Sequence, residues 1–194
     1  MSLVPLIEPD DIDESDRATM AAGEAAYGKQ LNTWRAIAQR PGMFAAYLPF
    51  IKSVAGPGAV SGRIKDLTAI YVNVLNHCRY STSHRCTSAA AQSIPEADII
   101  AAATGDHGGF EPELQVALEL ARAMTLDFPT QTITDAPSGI DKDLRERLTE
   151  AFTPAQLAEL TMSISLWNAL SRFHRVMDFE LDMPAPPSAV ETLL

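Results

Sequence analysis

The 194-residue chain is short of cysteine, of basic residues and of long apolar runs. Its two cysteines, Cys78 and Cys86, cannot build a disulfide framework. On one helix they would lie about 12 Å apart along the axis, beyond the ~7 Å Cα reach of a bridge, so both are expected as free thiols. Unbroken apolar stretches, such as residues 44–47, fall far short of the ~18 residues a membrane span needs. Residues 1–8 carry neither the basic region nor the apolar core of a signal peptide, and a cytoplasmic protein with no membrane partner is expected. Only 15 Lys+Arg stand against 25 Asp+Glu, a net charge of −10. That balance argues against a nucleic-acid partner, because neutralising phosphates needs basic patches.

What is present is a globular composition, 46% apolar and 21% charged, which excludes a chain disordered throughout. The acids are front-loaded: Glu8, Asp10, Asp11, Asp13, Glu14 and Asp16 all precede the first base, Arg17. We read residues 1–17 as a solvated acidic arm ending in an acid-rich first helical turn, which the helix dipole favours.

Nearly every periodic segment reads as helix. Residues 31–40 carry Trp34, Ile37 and Ala38 on one face, with Asn32 as a cap and Pro41 as a stop. Residues 43–54 follow with Phe44, Tyr47, Leu48 and Ile51, and Pro49 should kink or shorten that helix. Residues 63–76 are strongly amphipathic, although Val72-Asn73-Val74 would also suit a strand. After a break near 76–80, further helices are expected over 80–92, 95–103, 111–127, 141–151 and 153–177. Residues 104–110 and 128–140 read as loops, and 184–194 as a tail. No hairpin signal or βαβ alternation competes, so the expectation is one all-α domain over residues 1–194.

Reactive side chains are densest over residues 76–86, from Asn76-His77-Cys78-Arg79-Tyr80 to Cys86. A helix beginning near Cys78 would put that thiol at a helix N-terminus beside Arg79, and both features favour thiolate. Cys78, Ser81 and His84 could then share one face. A base near a thiol or hydroxyl is the minimum for nucleophilic or proton-transfer chemistry. Cys86 reads instead as a small core residue. His107 and His174 stand alone in the sequence and are expected to be structural. No histidine pair has the i, i+4 spacing of a helical metal site. There is also no Gly-rich phosphate loop and no nucleophile elbow.

Three patterns resemble the carboxymuconolactone decarboxylase / alkylhydroperoxidase D superfamily. They are Ala38-Gln39-Arg40-Pro41 closing a helix, Arg63-Ile64-Lys65-Asp66-Leu67 leading into Asn76-His77-Cys78-Arg79-Tyr80, and Asn168-Ala169-Leu170-Ser171-Arg172-Phe173. The resemblance implies a helical bundle of the alkylhydroperoxidase D-like type, with about seven to nine helices and oligomers of the same chain. The family motif reads Cys-x-x-Cys-x-x-x-His, with an acidic residue twelve positions before the first cysteine. Here Asp66 stands for the acid and Cys78 for the first cysteine. Ser81 takes the place of the second cysteine, and Arg85 that of the histidine, with His84 one position earlier.

What this implies for function divides three ways. In the leading reading the chain is a peroxiredoxin-type oxidoreductase with an altered Cys-x-x-Ser centre. Cys78 would be the working thiol, Asp66 and His84 the proton relay, Ser81 and Tyr80 hydrogen-bond donors, and Tyr80 and Arg85 substrate contacts. The second reading is a decarboxylase-like acid–base enzyme without thiol cycling, and the third a non-catalytic helical oligomer. The expected partners are a small-molecule substrate (a peroxide or a lactone acid), an external thiol reductant and further copies of the chain. No cofactor and no metal is expected.

Overall fold

The computed structural model describes residues 2–134 and 138–194, and no strand occurs among them. In chain order the helices are α1 (Glu14–Tyr27), α2 (Asn32–Ile37), α3 (Met43–Ala55), α4 (Gly62–Leu75), α5 (Arg79–Ala91), α6 (Glu96–Thr104), α7 (Pro112–Arg122), α8 (Lys142–Ala151), α9 (Pro154–Met177) and α10 (Ser188–Glu191). The all-α expectation holds. The two helices beyond those read from periodicity are α1 and α10, at the ends that looked like arm and tail.

Helix α4 is the axis of the bundle. Every residue from Ile64 to Val74 is buried, and α5, α6, α7 and α9 pack around it. A helix enclosed on all sides buries its polar residues too, here Lys65, Asp66, Thr68 and Asn73, and the helical environment overrides the strand tendency of Val72-Asn73-Val74. Leu67, Ile70, Leu114, Leu118, Leu160 and Ile164 form the centre of the main core. A second core joins Met20, Trp34, Phe44 and Leu48 across α1, α2 and α3.

Glu8, Asp10, Asp11, Asp13 and Glu14 of the acidic arm are exposed, as expected of a solvated segment, and Asp16 is the exception. Asp16 is fully buried, and its carboxylate accepts the Gly42 and Ala45 backbone N–H groups at 2.8 and 2.7 Å. It thereby caps α3 from a neighbouring helix, satisfying donors that a helix start otherwise leaves open. The expected tail is packed too: Val190 of α10 is buried in the main core, and Glu191 pairs with Arg79.

Three local expectations are corrected. Pro49 does not shorten helix α3, which continues to Ala55; Pro49 is exposed, so the carbonyl it leaves unbonded can turn to water. Asn32 does not cap α2, since Leu31 holds that position without a side-chain bond. Helix α7 ends at Arg122 in a π turn over Ala123–Asp127, closed by Phe128 N–H to the Ala123 carbonyl at 2.7 Å. Thr125 bonds the Ala121 carbonyl there and accepts from Asn168, local competition of the kind that distorts a helix. Residues 135–137 of the loop expected over 128–140 lie outside the described residues.

Candidate active site

The break between α4 and α5 positions the chemistry. His77 takes a left-handed conformation (φ 52°), and the Cys78 N–H returns to the Asn73 carbonyl at 2.9 Å. The chain thus reverses so that α5 packs along α4. Cys78 becomes the N-cap of α5, its sulfur accepting the Ser81 N–H.

Three clusters then form along α5. In the first, the Cys78 thiol donates to Ser81 Oγ at 3.2 Å, and Ser81 Oγ lies 2.7 Å from Nδ1 of His174, which comes from α9. His174 Nε2 is 3.0 Å from Thr33 Oγ1. In the second, Asp182, beyond the end of α9, accepts from Tyr80 Oη at 2.6 Å, from the Asn32 N–H at 2.7 Å and from His84 Nε2. In the third, the Asp66 carboxylate accepts from Arg85 Nη1 at 2.9 Å, from Ser88 Oγ at 3.0 Å and from the Gln92 amide. The Arg85 guanidinium lies 4.6 Å over the Trp167 ring, a cation–π contact.

These clusters border a cavity of about 520 Å³ between the two cores, the size of a small-molecule site. Tyr80, His84 and Arg85 reach it from α5, Thr33 and Trp34 from α2, Tyr47 and Lys52 from α3, and Trp167 and His174 from α9. A second cavity, about 390 Å³ beside α7, α8 and α9, is walled mainly by Leu, Met, Phe and Ile, with Arg145 as its one ionisable lining residue among the described residues. Acid–base groups converge on the first.

Burial sets the protonation states. It pushes the Cys78 thiol above its ordinary pKa, against the lowering effect of the bonds from Ser81. The expectation of a thiolate fails for this reason, and Arg79, expected to help, pairs with Glu191 instead. Burial, aided by the charge of Asp66, pushes Cys86 up to about 12. Burial also brings His174 down to about 3, with the charge of His84 adding to it, so its ring is neutral. Asp182 is pushed up by burial, but bonds from His84, Tyr80 and the Asn32 N–H outweigh this and hold it below the usual carboxylate range. For Asp66 burial wins and raises the carboxyl despite Arg85.

Among solved structures, the apo form of the debrominase Bmp8 superposes with a TM-score of 0.78 at 17% identity, over 100% of this chain and 99% of its own. A cysteine-to-alanine variant of that debrominase in complex with 2,3,4-tribromopyrrole gives 0.76 at 16% identity, over 100% and 96%. The alkylhydroperoxidase AhpD core of an uncharacterized peroxidase-related protein from Ralstonia eutropha JMP134 gives 0.77 at 14% identity, over 97% and 94%. The chain has the alkylhydroperoxidase D-like fold. At these identities the likeness establishes the fold alone. No protein-family model matches the chain, and no curated protein does.

On this alkylhydroperoxidase D-like scaffold the residues singled out from sequence separate. Cys78 and Ser81 touch each other but sit behind the cavity wall, and both are buried. Tyr80, His84 and Arg85 line it. Asp66 stands behind Arg85, and no direct hydrogen bond joins it to His84 or Cys78 among the described residues; His84 takes Asp182 instead. Tyr80 gives its proton to Asp182. Sequence reasoning missed His174, Asp182, Thr33 and Tyr47 as site residues. The one available signal was the Asn168–Phe173 pattern, which ends one residue before His174.

Proposed function

We propose that the chain is an acid–base enzyme acting on a small organic acid of the lactone-acid class, without thiol cycling. The observation that carries this reading is the Asp66–Arg85 pair. The family resemblance puts a carboxylate and a titratable histidine at those positions, where they can relay a proton. An arginine stays protonated, so the same contact becomes a fixed ion pair that presents a cation, stacked on Trp167, to the cavity. It suits a substrate carboxylate better than a proton relay.

The proton-handling group is His84. Asp182 takes its Nε2–H, which fixes the tautomer with the lone pair on Nδ1. Nδ1 has no hydrogen-bond partner among the described residues. An ionised aspartate that orients an imidazole and stabilises its protonated form is the logic of a general base. A dithiol peroxidase has less support: Ser81 is a hydroxyl, and Cys78 is buried with a raised pKa.

The test is incubation of the chain with γ-lactone carboxylic acids in deuterated water, following deuterium uptake and carbon dioxide release by NMR. We expect uptake, reduced at least ~100-fold by His84→Gln, and no peroxide consumption above background with dithiothreitol. Thiol-dependent peroxide turnover, or exchange indifferent to His84→Gln, would sink the reading.

A further inference from the structure

We infer that residues 2–8 form a detachable strap over the Cys78 end of α5. Docked, the strap keeps the thiol from reagents in solution; its release alone, with the bundle intact, makes Cys78 a modification site for small thiol-reactive molecules. This goes beyond the acid–base reading of the cavity and does not depend on it.

The sequence keeps this segment out of a helix. Pro5 and Pro9 lack the N–H a helix would use, and each biases the residue before it to an extended backbone. Glu8 shows this at φ −76° and ψ 150°. Extended chain sends alternate side chains to opposite faces. Leu3 and Pro5 are accordingly exposed, while Val4 and Leu6 are half-buried. Both pack against a small apolar cluster of Ala36, Cys78, Tyr80 and Phe179, set apart from the two larger cores. Cys78 is 1% exposed there and stands behind the cavity wall.

The strap bridges α9 to α2 with few anchors. At one end the Leu3 N–H meets the Met177 carbonyl at 2.9 Å. At the other, Arg35 takes the Ile7 N–H on its carbonyl at 3.3 Å, and its side chain reaches the Ile7 carbonyl at 2.8 Å and Glu8 at 2.9 Å. Gln39 bonds the Pro5 carbonyl at 2.7 Å. The Arg35–Glu8 and Gln39 bonds are exposed. A segment held by half-buried side chains and exposed hydrogen bonds opens locally, well before the core unfolds. The chain beyond α9, which also covers the cluster through Phe179 and Leu181, is fixed instead by the bonds of Asp182 to Tyr80, His84 and Asn32.

Release changes the surroundings of the sulfur and not its place. Cys78 caps α5 through the Ser81 N–H and bonds Ser81 Oγ, and neither contact belongs to the strap. Burial is what holds the proton on the thiol; with water admitted, the helix N-terminus favours thiolate. Cys86 serves as the reference. It is buried in the main core, against which neither Val4 nor Leu6 packs.

Timed alkylation of the full chain with iodoacetamide, read by peptide mapping, tests this. The sulfur bonds the reagent carbon, iodide leaves with the electron pair of the broken bond, and the thiol proton passes to the buffer. Leu6→Asp and Arg35→Met should each speed labelling at Cys78 at least ~10-fold and leave Cys86 unchanged. Equal acceleration at both cysteines, or an unchanged rate at Cys78, would overturn the inference. A second measurement needs no variant. In the unmodified chain, at urea concentrations below the unfolding transition, the Cys78 rate should stay nearly flat because a short strap exposes little surface. The Cys86 rate should rise steeply with global opening. Matching urea slopes at the two cysteines would sink the idea, whether or not the variants fold.

Discussion

The stability of the chain should fall by roughly 4 kcal/mol between pH 6.5 and pH 3 on account of His174 alone, and His174→Gln should remove that loss. The imidazole is 5% exposed and sits at about 3, lowered from 6.5 mainly by burial. One pKa unit corresponds to about 1.36 kcal/mol. The sign follows from proton counts. Below pH 6.5 the unfolded chain binds a proton at this histidine and the folded chain does not, so stability rises with pH across the window from about 3 to 6.5 and is lost on acidification. Asp182, with its lowered carboxyl, adds a loss only as the pH falls below the ordinary aspartate value. Asp66, with a raised carboxyl, works the other way over its own range. The interval from pH 6 to 5 is therefore the clean one for His174. Urea unfolding at those two pH values should show the natural chain losing about 1.2 kcal/mol more than the glutamine variant. Parallel losses would mean that the ring takes up a proton in the folded state.

The amphipathic periodicity that reveals the bundle is local, and so is the break that turns α4 into α5: Asn76 and His77 are poor helix formers flanked by regular stripes. The site is assembled from longer range. Ser81 and His174 are 93 residues apart, and His84 and Asp182 are 98 apart. Nothing in the run from residue 76 to 86 announces which base the packing of α9 against α5 will deliver. His174 looked structural because it is solitary in sequence. Asp182 lay beyond the last periodic stripe, where amphipathicity has nothing to report. The thiolate expectation failed for a related reason: a helix N-terminus and an arginine are legible in sequence, while the depth at which the sulfur is buried is a property of the assembled bundle. Asp16 shows the same limit, since six acids among the first seventeen residues read as solvated until one of them is found capping α3.

Glu159→Gln should cost about 3–5 kcal/mol, although it changes one oxygen to nitrogen and lies outside the lining of the site cavity. Lys65 is 4% exposed, in the middle of the helix that anchors the core. Its ammonium meets Glu159 Oε1 at 2.5 Å and the carbonyls of Gly56 and Val54. Glu159 Oε2 in turn accepts the Ala59 and Val60 N–H groups at 2.6 and 3.4 Å. The pair thus ties the loop between α3 and α4 to the first turns of α9. Burial pushes Glu159 up, but Lys65 and the two N–H groups outweigh it and hold the carboxyl below its ordinary value. A buried ion pair can add little net stability over an apolar pair of similar volume, yet removing one charge strands the other, and that is the costly step. Glutamine keeps the shape but has one acceptor oxygen where Glu159 uses two, so the loss combines the stranded ammonium with a donor left without its acceptor, at Lys65 or at the Ala59 and Val60 N–H groups. Adding Lys65→Met to Glu159→Gln should then cost little more, because no ion is left to strand. Denaturant unfolding of the two single variants and the double variant checks this as a cycle. Additive losses, or a loss below about 1 kcal/mol in Glu159→Gln, would show that water already solvates Lys65 and that the loop is held by other contacts.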